Sequence, residues 1–195
     1  MQSPKPVVIV LLGPTASGKT DLAIELAKRM NVGIHNVDSR QLYKGMDIGT
    51  AKPTLEQQKQ IKHYLLDLRE PDEPITLHEF KKEAECSLKK TIAEENIGFL
   101  VGGSGLYIKA LTSGLCPPAV PPQRNLREEL NKIGQFECYQ ILEKCDPEAW
   151  EKIGKRDSTR TIRALEVFYS TGKRMSSLQS SKPPDWNLIE LGLDP

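Results

Sequence analysis

The stretch that most constrains the fold is Gly13-Pro14-Thr15-Ala16-Ser17-Gly18-Lys19-Thr20, which follows the apolar run Val7-Val8-Ile9-Val10-Leu11-Leu12. Six apolar residues, mostly β-branched, predict a strand buried on both faces, as in the middle of a parallel sheet. The eight residues after it match the spacing of a phosphate-binding loop, Gly-x4-Gly-Lys-Thr. Gly13 and Gly18 let the backbone turn tightly and bring amide hydrogens against phosphate oxygens. Lys19 adds a mobile positive charge. Thr20 is expected to open a helix, with its hydroxyl able to join the shell of a Mg²⁺. That helix, Asp21 to Met30, points the positive end of its dipole at the anion. The chain is thereby committed to a strand–loop–helix unit that grips a phosphate chain. Whose phosphates these are, the loop alone leaves open.

Charge and cysteines narrow the class. Lys and Arg number 27 against 26 Asp and Glu, so no bias of the whole chain points to nucleic acid or membrane, and any basic surface is local. Cys86, Cys116, Cys138 and Cys145 form no Cys-x-x-Cys pair and have no His at zinc-ligand spacing, so they read as free thiols in a reducing compartment. Met1 to Pro6 carries no charged-then-apolar signal, and the longest apolar run is too short to span a bilayer. The expectation is a cytoplasmic protein with no membrane segment.

After the first helix, Ile34 to Val37 is a second strand ending on Asp38-Ser39-Arg40-Gln41-Leu42-Tyr43. A carboxylate at the C-terminal end of a parallel strand sits where open α/β sheets bind ligands. Asp38 is therefore a candidate general base, or the N-cap of a short helix from Ser39, or both. A loop over Gly45 to Pro53 leads to a short helix over Thr54 to Gln60 and a brief strand over His63 to Leu66. His63 and His78 have no partner at catalytic spacing and read as structural or solvated. Thr76-Leu77-His78-Glu79 is a capping box. It opens a long helix with Leu77, Phe80, Ala84, Leu88 and Ile92 on its buried face and Lys81, Lys82, Lys89 and Lys90 on its solvated one. The fourth strand, Ile97 to Val101, runs into Gly102-Gly103-Ser104-Gly105-Leu106-Tyr107. A nucleoside-triphosphate hydrolase would place a Mg²⁺-binding Asp there. Glycines and a hydroxyl stand in its place, which counts against a plain ATPase. They are expected to admit a ligand close to the backbone, with Ser104 facing the same crevice as Asp38.

Four prolines between Leu115 and Pro122 mark a stiff connector. Beyond it the pattern is helical only. Segments over Arg124 to Ile133 and Phe136 to Lys144 come first. A short helix capped by Asp146-Pro147 and closed at Gly154 follows, then one capped by Asp157 and stopped by Gly172. Lys152 to Arg174 holds seven Lys or Arg and two acids. Arg156, Arg160 and Arg163, at i, i+4 and i+7, share a helix face that suits phosphate and base-edge contacts; a plain solvated face is the alternative. Ser176 to Pro184 reads as a polar linker, and Leu188 to Leu193 as a returning strand after which the chain stops abruptly at Pro195. The domain plan is a core over 1–116, a helical insertion over 117–185, and a return to the sheet over 186–195.

These blocks together resemble the tRNA isopentenyltransferase family, the tRNA dimethylallyltransferases. The resemblance lies in Gly13 to Thr20, in Val37 to Pro53, in Leu100 to Tyr107 and in Arg163-Ala164-Leu165-Glu166-Val167, and it runs from end to end of the chain. It implies an α/β fold, a P-loop NTPase-like parallel sheet flanked by helices, with an all-helical insertion domain. It also implies transfer of a dimethylallyl group from dimethylallyl diphosphate to N6 of the adenine beside the anticodon of tRNA, releasing diphosphate. The loop Gly13, Pro14, Thr15, Ala16, Ser17, Gly18, Lys19 and Thr20 would then hold the donor's diphosphate rather than ATP, with Mg²⁺ on Thr20. By the same resemblance Asp38 receives the N6 proton, and Ser104 stands where the family usually has Thr, close to the target base. Ser39, Arg40, Gln41, Arg124, Thr159, Arg160, Thr161, Ile162 and Arg163 would, with Asp38 and Ser104, contact the anticodon stem-loop. The expected state is a monomer. Family members continue past this point with a basic C-terminal segment, so the resemblance implies a part absent here. A small-molecule kinase and an inert RNA- or nucleotide-binding module are the rival classes.

Overall fold

A computed structural model describes residues 5–194. The reading of the extreme N-terminus and the stop at Pro195 lie outside them. In chain order the elements are β1 (Val7–Leu12), α1 (Lys19–Met30), β2 (Ile34–Val37), α2 (Leu55–Gln60), β3 (His63–Tyr64), α3 (Leu77–Glu95), β4 (Ile97–Gly102) and α4 (Gly105–Thr112). Then come β5 (Leu115–Cys116), α5 (Arg124–Ile133), α6 (Gln135–Cys145), α7 (Pro147–Lys152), α8 (Ser158–Thr171), α9 (Met175–Leu178), β6 (Ser180–Ser181) and β7 (Asn187–Gly192). Two compact units result: one holds the chain up to Leu115 and from Lys182 onward, the other is Cys116–Ser181.

In the first unit five strands pair in parallel in the order β3-β2-β4-β1-β7. Parallel neighbours need helical crossovers, so both faces are covered. On one face Val8, Val10, Val37 and Leu100 pack with Phe80, Ala84 and Leu88 of α3 and Ile108 and Leu111 of α4. On the other, Leu11, Ile34 and Phe99 meet Ala23, Ile24 and Ala27 of α1. This two-sided cover explains why β1 and β4 read as near-continuous apolar runs. At the end of the sheet β7 pairs along all of β1, yet every one of its residues is exposed.

Local chemistry sets the element ends. Thr54 and Thr76 each accept from the third helical amide while Gln57 and Glu79 return a bond to the cap, so α2 and α3 both begin with capping boxes. Helix α1 starts at Lys19, one residue earlier than expected, with Gly18 as N-cap at φ 75°. Two sequence expectations are corrected. No helix follows Asp38; residues 39–42 form turns. Lys81 is not on a solvated face: it is buried, with Nζ donating to the carbonyls of Gly114 (2.9 Å) and Leu115 (3.2 Å). Gly102 lines the cavity described below, and its lack of a side chain also serves the sheet, because a Cβ there would collide with the backbone of Val37 on β2.

The second unit is built from α5 to α9 around Leu130, Cys138, Leu142, Ile153 and Leu165. Asp146 and Asp157 cap α7 and α8 through the amides of Ala149 and Arg160, and Gly172 at φ 68° ends α8. The stretch expected to be a polar linker instead carries α9, whose Ser176 donates through its amide (2.9 Å) and hydroxyl (2.6 Å) to the Asp146 carboxylate. Among the described residues, no helix is long and apolar enough to cross a membrane.

Candidate functional site

The C-terminal ends of β2 and β4, with the loop that follows β1, open onto a cavity of about 350 Å³ in the first unit. Thr15, Ala16, Gly18, Lys19 and Thr20 line it on the loop side. Ala16 at φ 67° and Gly18 at φ 75° put this loop in left-handed backbone, the geometry that turns successive amides inward to make an anion nest. Ser17 braces the loop by donating its hydroxyl to the Pro14 carbonyl at 2.9 Å, and Lys19 folds back to donate to the same oxygen at 3.0 Å. Burial pulls the Lys19 pKa below its ordinary value, against the opposing charge of Asp38. Gly13 and Pro14 instead line a neighbouring cavity of about 450 Å³, with Gly103, Ile108 and Glu190.

Asp38 lines the same cavity from the end of β2. Its Oδ1 accepts the amide hydrogens of Arg40 (2.8 Å) and Gln41 (3.3 Å), an Asx turn that fixes the carboxyl without a helix. Ser104 does not line the cavity. Its Oγ accepts the Ser39 amide at 3.0 Å and donates to the Ser39 hydroxyl at 3.3 Å, tying the end of β4 to the turn that carries Asp38. Arg40 is exposed, and Gln41 is part of the cavity wall.

Sequence reasoning missed the rest of that wall: Thr50, Ala51, Lys52, Gln57 and His63. Gln57 on α2 donates to Asp21 on α1 at 2.9 Å, closing one side. His63 is held by the Ile61 carbonyl at 3.0 Å, and burial pushes its pKa below the usual value. Lys52 is the least expected. Its side chain is 3 % exposed, and its ammonium lies 2.7 Å from Asp47 and 2.7 Å from Asp67 and donates to the Tyr43 carbonyl at 2.7 Å. Burial opposes its charge, but the hydrogen bonds to the two carboxylates outweigh this and raise its pKa. The signal was a lone lysine between an αL residue, Ala51 (φ 50°), and Pro53, a loop pattern that ordinarily means a solvated cation.

Among the described residues no three His, Cys, Asp or Glu side chains converge to cage a metal. The cavity does offer hard oxygen donors in Thr20, Asp21 and Asp38. That set suits Mg²⁺, which takes one or two protein oxygens and fills its shell with phosphate oxygens and water.

In the second unit the predicted RNA contacts divide. Arg124, Thr159 and Arg160 are exposed at the starts of α5 and α8. Thr161 and Ile162 are buried, Thr161 donating to the Asp157 carbonyl at 2.8 Å. Arg163 turns inward: it binds Glu166 and donates to the carbonyls of Pro118 (3.3 Å) and Val120 (2.9 Å). Arg156 precedes α8, so the expected three-arginine helix face is not formed. Glu166 is fully buried. Burial alone would raise its pKa, but the Arg127 and Arg163 guanidinium groups and the Gln123 amide hold it down to about 2.

A phosphate loop feeding a parallel sheet, a strand-end aspartate across the cavity, and a helical unit spliced in before the last strand define a P-loop NTPase-like α/β protein with a helical insertion. The model of the IPP transferase family matches residues 41–195, and the chain belongs to that family. It is 74% identical over 195 residues to a tRNA dimethylallyltransferase of Prochlorococcus marinus, covering 100% of this chain and 65% of that protein. It is 58% identical over 190 residues to a Synechococcus tRNA dimethylallyltransferase, covering 97% and 61%. A Staphylococcus epidermidis tRNA isopentenylpyrophosphate transferase superposes with a TM-score of 0.58 at 34% identity, over 96% of this chain and 63% of that one. A eukaryotic dimethylallyltransferase acting on tRNA gives a TM-score of 0.78 at 29% identity, over 96% and 48%. The chain thus spans a little under two thirds of the length of the curated relatives it matches.

Proposed function

We propose that the protein transfers a dimethylallyl group from dimethylallyl diphosphate to the exocyclic N6 of the adenine beside the anticodon in tRNA. The observation that carries this reading is that Lys19 and Asp38 face one cavity from the ends of adjoining elements. The pairing supplies the two things the reaction lacks. As N6 attacks the allylic carbon, the C–O bond breaks and its electron pair leaves on diphosphate. Lys19 and the inward-turned loop amides neutralise that growing charge. The N6 proton passes to the carboxylate of Asp38. Thr20 would hold a Mg²⁺, whose chemistry is further neutralisation of the leaving group. Ser104 supports the site by holding the turn of Asp38. The exposed Arg124, Thr159 and Arg160 are read as the tRNA-facing residues of the insertion, and the tRNA substrate fits a cytoplasmic setting.

Calorimetry with dimethylallyl diphosphate and Mg²⁺, beside transfer of labelled donor to unmodified tRNA, tests the reading. Lys19→Ala is expected to weaken donor binding at least about tenfold, as loss of a charge-assisted contact to phosphate does, with tRNA affinity retained. Phosphoryl transfer from ATP to a small alcohol, with no prenyl transfer, would move the protein to the kinases.

A further inference from the structure

A part of the cavity wall outside the phosphate loop holds a feature that the reaction as described does not use. Gln41 donates through Nε2 to two carbonyls, those of Thr50 and Ala51, each at 3.1 Å. Turning the carboxamide over would set Oε1 against the same two oxygens, so its orientation is fixed by the wall itself. With both amide hydrogens engaged, the side chain can offer the cavity only Oε1, an acceptor. The carbonyls that impose this belong to a loop in strained backbone, Ala51 at φ 50°, facing a second strained segment with Leu65 at φ 63° and Asp67 at φ 53°. Lys52 joins the two: its buried ammonium holds Asp47 and the Tyr43 carbonyl on one side and Asp67 on the other. Its amide also returns to the Asp47 carbonyl at 3.1 Å.

We propose that Lys52 is a positioning residue that acts through Gln41: by locking the Asp47–Lys52 loop it turns Gln41 into a fixed hydrogen-bond acceptor that selects a base carrying an exocyclic amine. The inference rests on the transferase reading for the identity of the base. An adenine amine has two hydrogens, one for each acceptor of the cavity rim, Asp38 and Gln41 Oε1. Hypoxanthine carries a carbonyl at that position and would set oxygen against oxygen. Sites that pair a substrate's polar hydrogen reject analogues lacking it far better than shape alone does.

The test uses the 195-residue chain and two anticodon stem-loop RNAs that differ only in adenine or hypoxanthine beside the anticodon. Inorganic diphosphate with Mg²⁺ is titrated in parallel. The wild type is expected to bind the adenine RNA at least about tenfold more tightly, the range of one good hydrogen bond lost against one mispaired. Lys52→Met should bring the ratio to within about twofold, while diphosphate affinity, set by the phosphate loop, stays within about twofold. Gln41→Leu removes the acceptor without touching the ammonium cluster, so it serves if Lys52→Met does not fold, and it too should abolish the preference. A wild type with no preference, or a Lys52→Met or Gln41→Leu variant that keeps it, overturns the proposal. Failure of the transferase reading has a different signature: diphosphate that does not bind, or binds equally to Lys19→Ala.

Discussion

Asp38 and Glu166 are both carboxylates that accept backbone amides of their own unit, and their surroundings differ. Asp38 commits one oxygen to two amides and lines an open cavity that also holds Lys19. Glu166 commits both oxygens, to Arg127, Arg163 and the Gln123 amide, and has no exposure at all. A carboxylate with unused acceptor capacity beside a cavity can take a proton. One whose acceptor sites are filled by two guanidinium groups is fixed as an anion and serves as a structural tie. Residue type and neighbouring charges in the chain do not separate the two cases. The direction in which the arginines point does.

The contrast can be broken first at Asp38. Asp38→Asn should lower single-turnover transfer by about 10²–10⁴-fold, the usual cost of a lost general base, with the melting temperature nearly unchanged. A mutant within threefold of wild type would reduce Asp38 to a turn-former. The matching change in the other unit should do the reverse. Glu166→Ala takes the carboxylate from the half-exposed Arg127 and Arg163 guanidinium groups and the acceptor from the Gln123 amide, and denaturant unfolding should report a loss of roughly 1–3 kcal/mol, with diphosphate affinity retained.

Protonation sharpens the same comparison. The Glu166 pKa is depressed to about 2 from its ordinary value of 4.5, so its stabilisation is complete above the unfolded value and fades as pH falls through the folded one. Between about pH 4.5 and 2 the wild type should lose roughly 3 kcal/mol that Glu166→Gln does not lose, measured as urea midpoints at successive pH values. The smallest effect expected separates the two arginines of α8. Arg160, paired with Asp157 at a largely exposed site, should cost under about 1 kcal/mol of stability on change to Ala while lowering the salt slope of tRNA binding by about one. Arg163→Ala should leave that slope alone and destabilise the unit.

Much of the first unit was legible because its signals are local. The apolar run of β1, the glycine spacing of the loop and the capping box of α3 each lie within a dozen residues. What escaped depended on partners far along the chain. Helix α4 follows glycines and has no side-chain cap, since the Ser104 hydroxyl is engaged by Ser39, so its start carries no local mark. The four residues of α9 are held by Asp146, thirty positions earlier. At the site, the phosphate loop and Asp38 were readable from strand ends. The Lys52 clamp was not, because neither of its carboxylates lies at helical spacing from it and Asp67 is fifteen residues away. The inward bonds of Arg163 escaped for the same reason: a basic face on a helix is counted from one chain segment, whereas its carbonyl partners come from the proline-rich connector.

Gly102 has a bearing on how mutational data for this protein would read. It lines the cavity with backbone alone, and a methyl there would meet the carbonyl of Val37, the residue immediately before Asp38. The spacing between β4 and β2 is therefore gauged by the absence of one carbon atom. In a library of random variants selected for activity, position 102 would be as intolerant as the aspartate it neighbours. A functional map drawn from such sensitivity alone would count a spacer among the reactive groups.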